Sequence, residues 1–154
     1  MRGATKILGT VILALCSFFL AGYAAGPVGN TEKKLLADAI TSHIEILKSG
    51  KPQQRAAAAY WLGQQHSAAA TAVEQLVGLL GDPTEVNPAQ YRAKRVLGRL
   101  TLGEEVAAAL VNIGHPSIDP LIRVLKTSPD AEARKNAAWA LGALHDNGST
   151  GSQI

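Results

Sequence analysis

Four histidines are the side chains of this sequence best suited to bind a metal ion or to move a proton near neutral pH. None of them stands at a His-x-His or His-x-x-x-His spacing, which would direct two ring nitrogens at one metal. Two of them follow a glycine by three residues at the end of a predicted helix, where the helix dipole favours histidine. We therefore predict no metal site and no cofactor at His43, His66, His115 and His145.

The carboxylates and nucleophiles form no catalytic arrangement either. Glu104 and Glu105 are adjacent, but they stand at the start of a predicted helix, where acidic residues interact favourably with the positive helix end. No Gly-x-Ser-x-Gly motif occurs, and the single cysteine, Cys16, lies in an apolar amino-terminal run. We predict a protein that is not an enzyme, with no catalytic residue.

Composition narrows the classes of protein further. One cysteine in 154 residues excludes a disulfide-stapled scaffold, and 47% apolar with 18% charged residues argues against intrinsic disorder. The net charge of +3 includes Arg2 and Lys6, which lie in a segment that resembles a targeting signal. Without them, thirteen basic residues face twelve acidic ones, so we predict no nucleic-acid partner.

The amino-terminal segment has the order of a secretory signal. Arg2 and Lys6 precede an uncharged apolar run over residues 7–21, and small residues follow at positions 22–26. We predict a signal peptide over residues 1–24, cleaved after Ala24, and a linker over residues 25–30. The alternative is an uncleaved membrane anchor, because residues 7–25 approach the roughly 20 apolar residues that span a bilayer.

A nine-residue pattern occurs twice in the rest of the chain. Residues 55–63 and 134–142 share Arg, Ala-Ala and Leu-Gly at the same offsets, and a weaker copy ends at Gly114, 28 residues before Gly142. The small Ala-Ala pair favours close helix packing, and we expect each glycine near a helix end, where the chain turns. The predicted structural repeat positions are Arg55, Leu62, Gly63, Ile113, Gly114, Arg134, Leu141 and Gly142.

A second apolar pattern at helical spacing follows the first two copies. It reads Leu76-Val77-x-x-Leu80 after one copy and Leu121-Ile122-x-x-Leu125 after the next. Helix pairs at a fixed period are typical of an α-solenoid, so we predict an all-α repeat domain over residues 31–146. It begins with a helix over residues 31–48, capped by Asn30 or Thr31, contains an insertion at about 83–103, and precedes a flexible tail over residues 147–154.

This pattern resembles the short HEAT-like repeat that also occurs in phycobilisome lyases and in many bacterial scaffold proteins. The resemblance covers about residues 35–145. It implies a right-handed α-solenoid that acts as a protein-interaction module. It also implies that the second helices line the inner surface, through the residues around Glu74, Gln75, Asp119, Arg123 and Lys126.

Basic residues are concentrated in the insertion, which has no acidic residue between Glu85 and Glu104. If residues 88–100 form a helix, a basic stripe lies beside an apolar stripe, which suits an acidic protein or an anionic membrane surface. The alternative is an ordinary solvated helix face. Together with two basic residues of the second helices and one tryptophan, the predicted partner-binding residues are Arg92, Lys94, Arg95, Arg99, Arg123, Lys126 and Trp139.

The last repeat is predicted to leave an open edge. Its first helix runs from Asp130 to about residue 145, Asp130 and Arg134 can pair along it, and the remaining residues are too few for a second helix. One flank of the helix that carries Trp139 is then exposed, and exposed apolar edges mark contact surfaces. We expect it to dock a partner or a second copy of the chain; alternatively, its alanines expose little area.

These observations favour an exported, non-catalytic interaction module or scaffold, periplasmic or secreted. One alternative, from the resemblance, is a bilin lyase-like protein or its chaperone subunit. Another is a scaffold anchored in the inner membrane.

Overall fold

A computed structural model describes residues 28–92 and 99–150. The chain divides into two compact units, residues 1–34 and 35–154. The fold described below is that of the second unit. The described residues are mostly helical, and the α-helices are α1 Val28–Ser49, α2 Pro52–Gly63, α3 Val73–Val77, α4 Leu102–Ile113, α5 Ile118–Thr127 and α6 Ala131–Thr150. The predicted signal segment lies outside the described residues, and no helix within them is long and apolar enough to cross a membrane.

Helix α1 confirms the amphipathic pattern at the start of the repeat domain. Ile40 and Leu47 are buried, and Leu36 and Ile44 pack partly buried against the core. The helix begins at Val28, so the prediction that Asn30 or Thr31 caps it was wrong; both residues lie within it.

Helices α2, α4 and α6, which contain the three copies of the repeated pattern, stack on one another in that order. The short helix α3 contacts α5, and α5 packs against α6. First helices therefore contact first helices and second helices contact second helices, as in a solenoid. The core between them contains the fully buried side chains of Leu62, Leu76, Leu80, Leu102, Val106, Leu110 and Leu121.

The small residues of the pattern allow a close helix contact. Gly63 at the end of α2 lies against α4, and a Cβ added there would be 3.0 Å from the Cα atom of Ala109. Ala58 and Ala59 are buried in the same helix. The prediction that the small residues serve close packing agrees with this geometry.

The repeated arginine has an equivalent hydrogen-bond acceptor in both complete copies of the pattern. Arg55 Nη2 donates to the carbonyl of Lys48 at the end of α1, at 3.4 Å, and Arg134 Nη1 donates to the carbonyl of Ser128 after α5, at 2.8 Å. Each arginine thus satisfies a carbonyl at the carboxyl end of the preceding helix, a group that has no partner within that helix.

Asp130 does not take part in the ion pair with Arg134 that its spacing suggested. Its Oδ1 atom accepts instead from the backbone N–H of Glu132, at 2.9 Å, and of Ala133, at 3.4 Å. Asp130 therefore caps the start of α6, because an aspartate there satisfies N–H groups that the helix leaves unpaired.

The insertion contains a strand pair that the sequence did not predict. Strands β1 (Glu85–Val86) and β2 (Leu100–Thr101) are antiparallel, with Val86 opposite Leu100. After β1 the insertion makes a 3₁₀ turn over Pro88–Gln90. The expected helix over residues 88–100 was therefore wrong at both described ends, because pairing with β1 holds Leu100 extended. Lys94 and Arg95 lie outside the described residues.

Helix α6 is longer than the repeat pattern suggested. It continues to Thr150, so the prediction of a helix end near residue 145 and a tail from residue 147 was wrong. Gly142 consequently lies in the helix interior, whereas Gly114, with φ of 86°, ends α4 in the left-handed conformation that glycine favours.

Candidate functional site

An open groove of about 450 Å³ lies where the insertion, α4 and α6 meet. It is mainly apolar, and the insertion, α4 and α6 each contribute to its wall. Two of the predicted partner-binding residues reach it from different elements. The described residues that line it are Arg92, Leu100, Glu104, Ala108, Lys135, Asn136 and Trp139.

Trp139 is the large apolar side chain at the edge of this groove, and 55% of its surface is exposed. Its counterpart in the first copy is Tyr60, which is partly buried and lies 5.8 Å, centroid to centroid, from the ring of Tyr91 in the insertion. Exposed tryptophans next to a concave surface are common at the energetic centres of protein interfaces. Trp139 is therefore a surface residue; its role as a contact remains a prediction.

A buried ion pair fixes the insertion against α4. Arg92 Nη2 donates to Glu105 Oε1 at 2.7 Å and to Oε2 at 2.6 Å, and the Tyr91 hydroxyl donates to Oε2 at 2.8 Å. The Glu105 side chain is fully buried, and the Arg92 side chain is 22% exposed. A carboxylate in this position requires such partners, since an unpaired buried charge is strongly unfavourable.

Two aromatic rings complete this cluster of Tyr60, Tyr91, Arg92 and Glu105. The guanidinium carbon of Arg92 lies 5.2 Å from the centroid of the Tyr60 ring, within range of a cation–π interaction. Burial of Tyr91 raises the pKa of its phenol above the ordinary value, and the hydrogen bond to Glu105 and the carboxylate's charge raise it further. Tyr91 therefore stays a neutral donor.

The cluster is suited to holding the insertion in place against α4, rather than to catalysis. Both oxygens of Glu105 are engaged by Arg92, and Tyr91 shares one of them. Because Arg92 and Leu100 also line the groove, the ion pair sets the position of the groove wall formed by the insertion.

Helices α4 and α6 form the opposite side of the groove. Asn136 is buried, and its Nδ2 atom donates to the carbonyl of Leu80 at 2.8 Å. Thr101 and Glu104 cap α4 reciprocally: Glu104 N–H donates to Thr101 Oγ1 at 3.2 Å, and Thr101 N–H donates to Glu104 Oε2 at 2.8 Å. Both acidic residues stand in the first turn of α4, as predicted; Glu104 caps the helix, whereas Glu105 binds Arg92.

The predicted basic stripe of the insertion does not form from its described members. Arg92 points inward to Glu105, whereas Arg99 is 82% exposed and pairs with Glu85 at 2.7 Å. The stripe required a helix over residues 88–100, whereas a 3₁₀ turn precedes Arg92 and strand β2 follows Arg99. Arg99 borders a different concavity, with Gln53, Glu85, Val86 and Asn87.

The basic residues of the second helices lie elsewhere on the surface. Arg123 on α5 pairs with Glu74 on α3 at 2.6 Å, so two consecutive second helices are joined by their exposed side chains. Lys126 is exposed near the end of α5. Gln75 and Asp119 are exposed as well. Their assignment to an inner surface remains a prediction.

The histidines have separate local roles. His43 stacks on Trp61 with ring centroids 3.9 Å apart and joins α1 to α2, and His66 Nδ1 lies 3.1 Å from the carbonyl of Asn112. His66 follows the end of α2 as predicted, whereas His145 lies inside α6 because that helix extends further. No group of three or more metal-binding side chains occurs among residues 28–92 and 99–150.

Two residues of the site were missed by reasoning from sequence, Glu105 and Asn136. Glu105 lies three residues after Leu102 and four before Ala109, both buried, so the helical period already placed it on the inward face. Asn136 precedes the buried Ala137 in the repeated pattern and occupies a position that is alanine in α2 and α4. The sequence signal for Asn136 was a polar residue at a position where the other two copies have alanine.

Comparison with known proteins supports the repeat character. The family model of the Armadillo/beta-catenin-like repeat matches residues 113–144, which include α5 and most of α6. No curated protein and no solved structure matches the chain. The match supports a helical repeat family; the HEAT-like type and the link to lyases remain predictions.

Proposed function

We propose that this chain is an exported, non-catalytic protein-interaction module whose docking surface is the groove beside Trp139. The observation that carries the proposal is the 55% exposure of Trp139 at the edge of a mainly apolar groove. Stacked helical repeats present extended surfaces that bind other proteins, and the repeat match includes Trp139.

The groove favours a partner with an apolar anchor side chain. Its charged residues already have partners: Arg92 contacts Glu105, Glu104 caps α4, and Lys135 contacts Glu132. An apolar side chain that covers Trp139, Leu100 and Ala108 would remove apolar surface from water without breaking these contacts. Truncating a central tryptophan of an interface commonly costs about 2 kcal/mol or more of binding free energy.

Export is the second part of the proposal, and it depends on the amino-terminal sequence. Positive, apolar and small residues follow one another over residues 2–26 in the order of a signal peptide. Retention of the segment as an anchor would place the same groove at a membrane surface and would leave the docking proposal unchanged.

Affinity capture with three forms of the tagged chain tests the docking surface. The wild-type chain should capture a reproducible set of proteins from the exported fraction, identified by mass spectrometry, and Trp139→Asp should lose them. Leu125→Asp is the matched control, because Leu125 is an apolar residue on α5 with 40% exposure, away from the groove. Equal capture by all three folded forms would contradict the proposal.

A further inference from the structure

Asn147 and Gly148 form the one asparagine–glycine pair in the sequence. The backbone nitrogen of the residue after an asparagine can attack the carbon of the side-chain amide, and glycine hinders that attack least because it has no Cβ atom. The Asn147 side chain is exposed, and the described part of the chain gives it no hydrogen bond. The pair therefore meets the chemical requirements for deamidation.

The other four asparagines do not meet these requirements. Asn87 precedes a proline, whose nitrogen carries no hydrogen to lose and cannot form the new bond. Asn136 is buried, and its side-chain amide donates a hydrogen bond to a backbone carbonyl. Asn30 and Asn112 precede threonine and isoleucine, whose branched Cβ atoms crowd the attacking nitrogen. We therefore expect Asn147 to react first.

Helix α6 restrains this reaction, because it includes both residues of the pair. In an α-helix each backbone N–H donates to the carbonyl four residues earlier, which for Gly148 is that of Leu144. The Gly148 nitrogen is then held by this hydrogen bond and lies turned away from the Asn147 side chain. Attack requires the helix to open at this point.

The pair lies where α6 opens most easily. Thr150, the last residue of the helix, is three residues after Asn147, so the pair is in the last turn. Helix ends open at little cost in free energy, and a glycine inside a helix weakens it further. Local opening thus frees the Gly148 nitrogen, while the buried Ala137 and Ala140 keep α6 packed against α4.

We propose that Asn147 is a site of spontaneous deamidation in the folded chain, and that the reaction shortens α6 at its carboxyl end. The Gly148 nitrogen loses its proton and bonds to Cγ of Asn147, the bond from Cγ to the side-chain nitrogen breaks, and ammonia leaves with that proton. The product is a succinimide ring. Water then breaks either of the two carbonyl–nitrogen bonds of the ring, which gives aspartate or isoaspartate.

Both products weaken the end of α6. Aspartate adds a negative charge next to Asp146 at the carboxyl end of the helix, where the helix dipole favours positive charge. Isoaspartate inserts an extra carbon into the main chain and interrupts the backbone hydrogen bonds of the last turn. Trp139 lies eight residues, or about two helical turns, before Asn147, so the groove keeps its geometry.

Mass spectrometry of the purified 154-residue chain, incubated at mildly alkaline pH, tests the proposal. Peptides that contain Asn147 should gain the mass difference between an amide and an acid, and should separate into aspartate and isoaspartate forms. Asn112 is the matched internal control, because it is exposed near the carboxyl end of α4 but precedes isoleucine. Gly148→Ala should lower the rate at Asn147 by at least about twofold, since alanine both crowds the nitrogen and stabilises the helix.

Unfolding and a charge variant test the role of the helix. In urea the rate at Asn147 should rise several-fold, because the helix no longer holds the Gly148 nitrogen. In hydrogen exchange of the folded chain, the amides in the last turn of α6 should exchange faster in Asn147→Asp than in wild type. Asn147→Gln, which keeps a neutral amide, is the control and should exchange like wild type.

Three outcomes would overturn the proposal. The first is that Asn147 reacts no faster than Asn112 in the folded chain. The second is an equal rate at Asn147 in buffer and in urea, and the third is unchanged hydrogen exchange in Asn147→Asp. None of these variants changes a residue of the groove, so these results are independent of the capture experiment.

Discussion

At the scale of single residues, the ion pair between Glu105 and Arg92 holds the insertion against the stacked helices. Glu105 is fully buried and receives three hydrogen bonds from Arg92 and Tyr91. Pairs of this kind contribute little net stability compared with apolar residues of similar volume, but loss of one member is costly. Its role here is to position Arg92 and Leu100 at the groove.

We predict that Glu105→Ala lowers the free energy of unfolding by about 3–5 kcal/mol, because it leaves the Arg92 guanidinium without its buried partner. Glu85→Ala is the control, since it breaks the exposed pair with Arg99 and should cost at most about 1 kcal/mol. Urea denaturation followed by circular dichroism measures both. Equal losses would show that the buried pair does not anchor the insertion.

Because the pKa of the Tyr91 phenol is raised, we predict that the chain loses stability in alkaline solution. Its pKa is raised in the folded chain, so it stays protonated there while an unfolded chain ionises above the ordinary phenol pKa of about 10. The unfolded state then binds fewer protons, and the free energy of unfolding falls as the pH rises above that value. Between neutral pH and about pH 11, wild type should lose more stability than Tyr91→Phe; an equal loss in both contradicts the assignment.

At the scale of elements, equivalent glycines serve different purposes. Gly63 allows α2 to approach α4, whereas Gly142 lies in the middle of α6 with open space around it. The same repeated residue therefore permits close packing in one helix and only lowers the stability of the other. The repeated pattern predicts the existence of both helices but not this difference, which depends on what lies next to each.

We predict changes of opposite sign for the two glycines. Gly63→Ala should destabilise the chain, because the new methyl group would lie 3.0 Å from Ala109 Cα. Gly142→Ala should stabilise it by about 0.5–1 kcal/mol, the usual gain from replacing glycine inside a helix. Thermal or denaturant unfolding measures both, and a loss of stability with Gly142→Ala would place Gly142 in a packed environment.

The sequence predicted the stacked helices well because their pattern follows directly from packing. The Arg, Ala-Ala and Leu-Gly spacing of residues 55–63 and 134–142 corresponds to α2 and α6. The secondary structure of the insertion was harder to predict from the sequence, since a short apolar stretch such as that before Leu100 suits a helix and a strand alike. The buried role of Glu105 was missed because its place at a helix start already accounted for its charge. The buried helix face that it shares with Leu102 and Ala109 was not considered.

At the scale of the whole molecule, the sequence joins a predicted export segment to a stack of helices, and in the described residues α6 exposes Ala138 and Trp139. The predicted signal segment and the repeats occupy separate parts of the sequence, so export and docking can be tested separately. Helix α6 buries Ala137 and Ala140, contacts α4, and exposes Trp139.

We predict that an export-dependent reporter fused after Ile154 is active. Replacing Leu13 and Leu15 with arginine should abolish that activity, because each charge opposes insertion of the apolar run by about 2.5–3.5 kcal/mol. Replacing the same two residues with valine is the control and should preserve it. An active reporter in the arginine variant would contradict export through this segment.

The central claim is that the surface around Trp139 is open in the single chain and covered on association. Tryptophan fluorescence of the Trp61→Phe chain reports Trp139 alone, since the chain has two tryptophans. In dilute solution the emission should be that of a water-exposed indole and should be quenched by iodide. When a captured partner is added and its own emission is subtracted, the emission should shift to the blue and resist quenching. Emission that is shielded in the free chain, or that stays exposed when a captured partner binds, would contradict the claim.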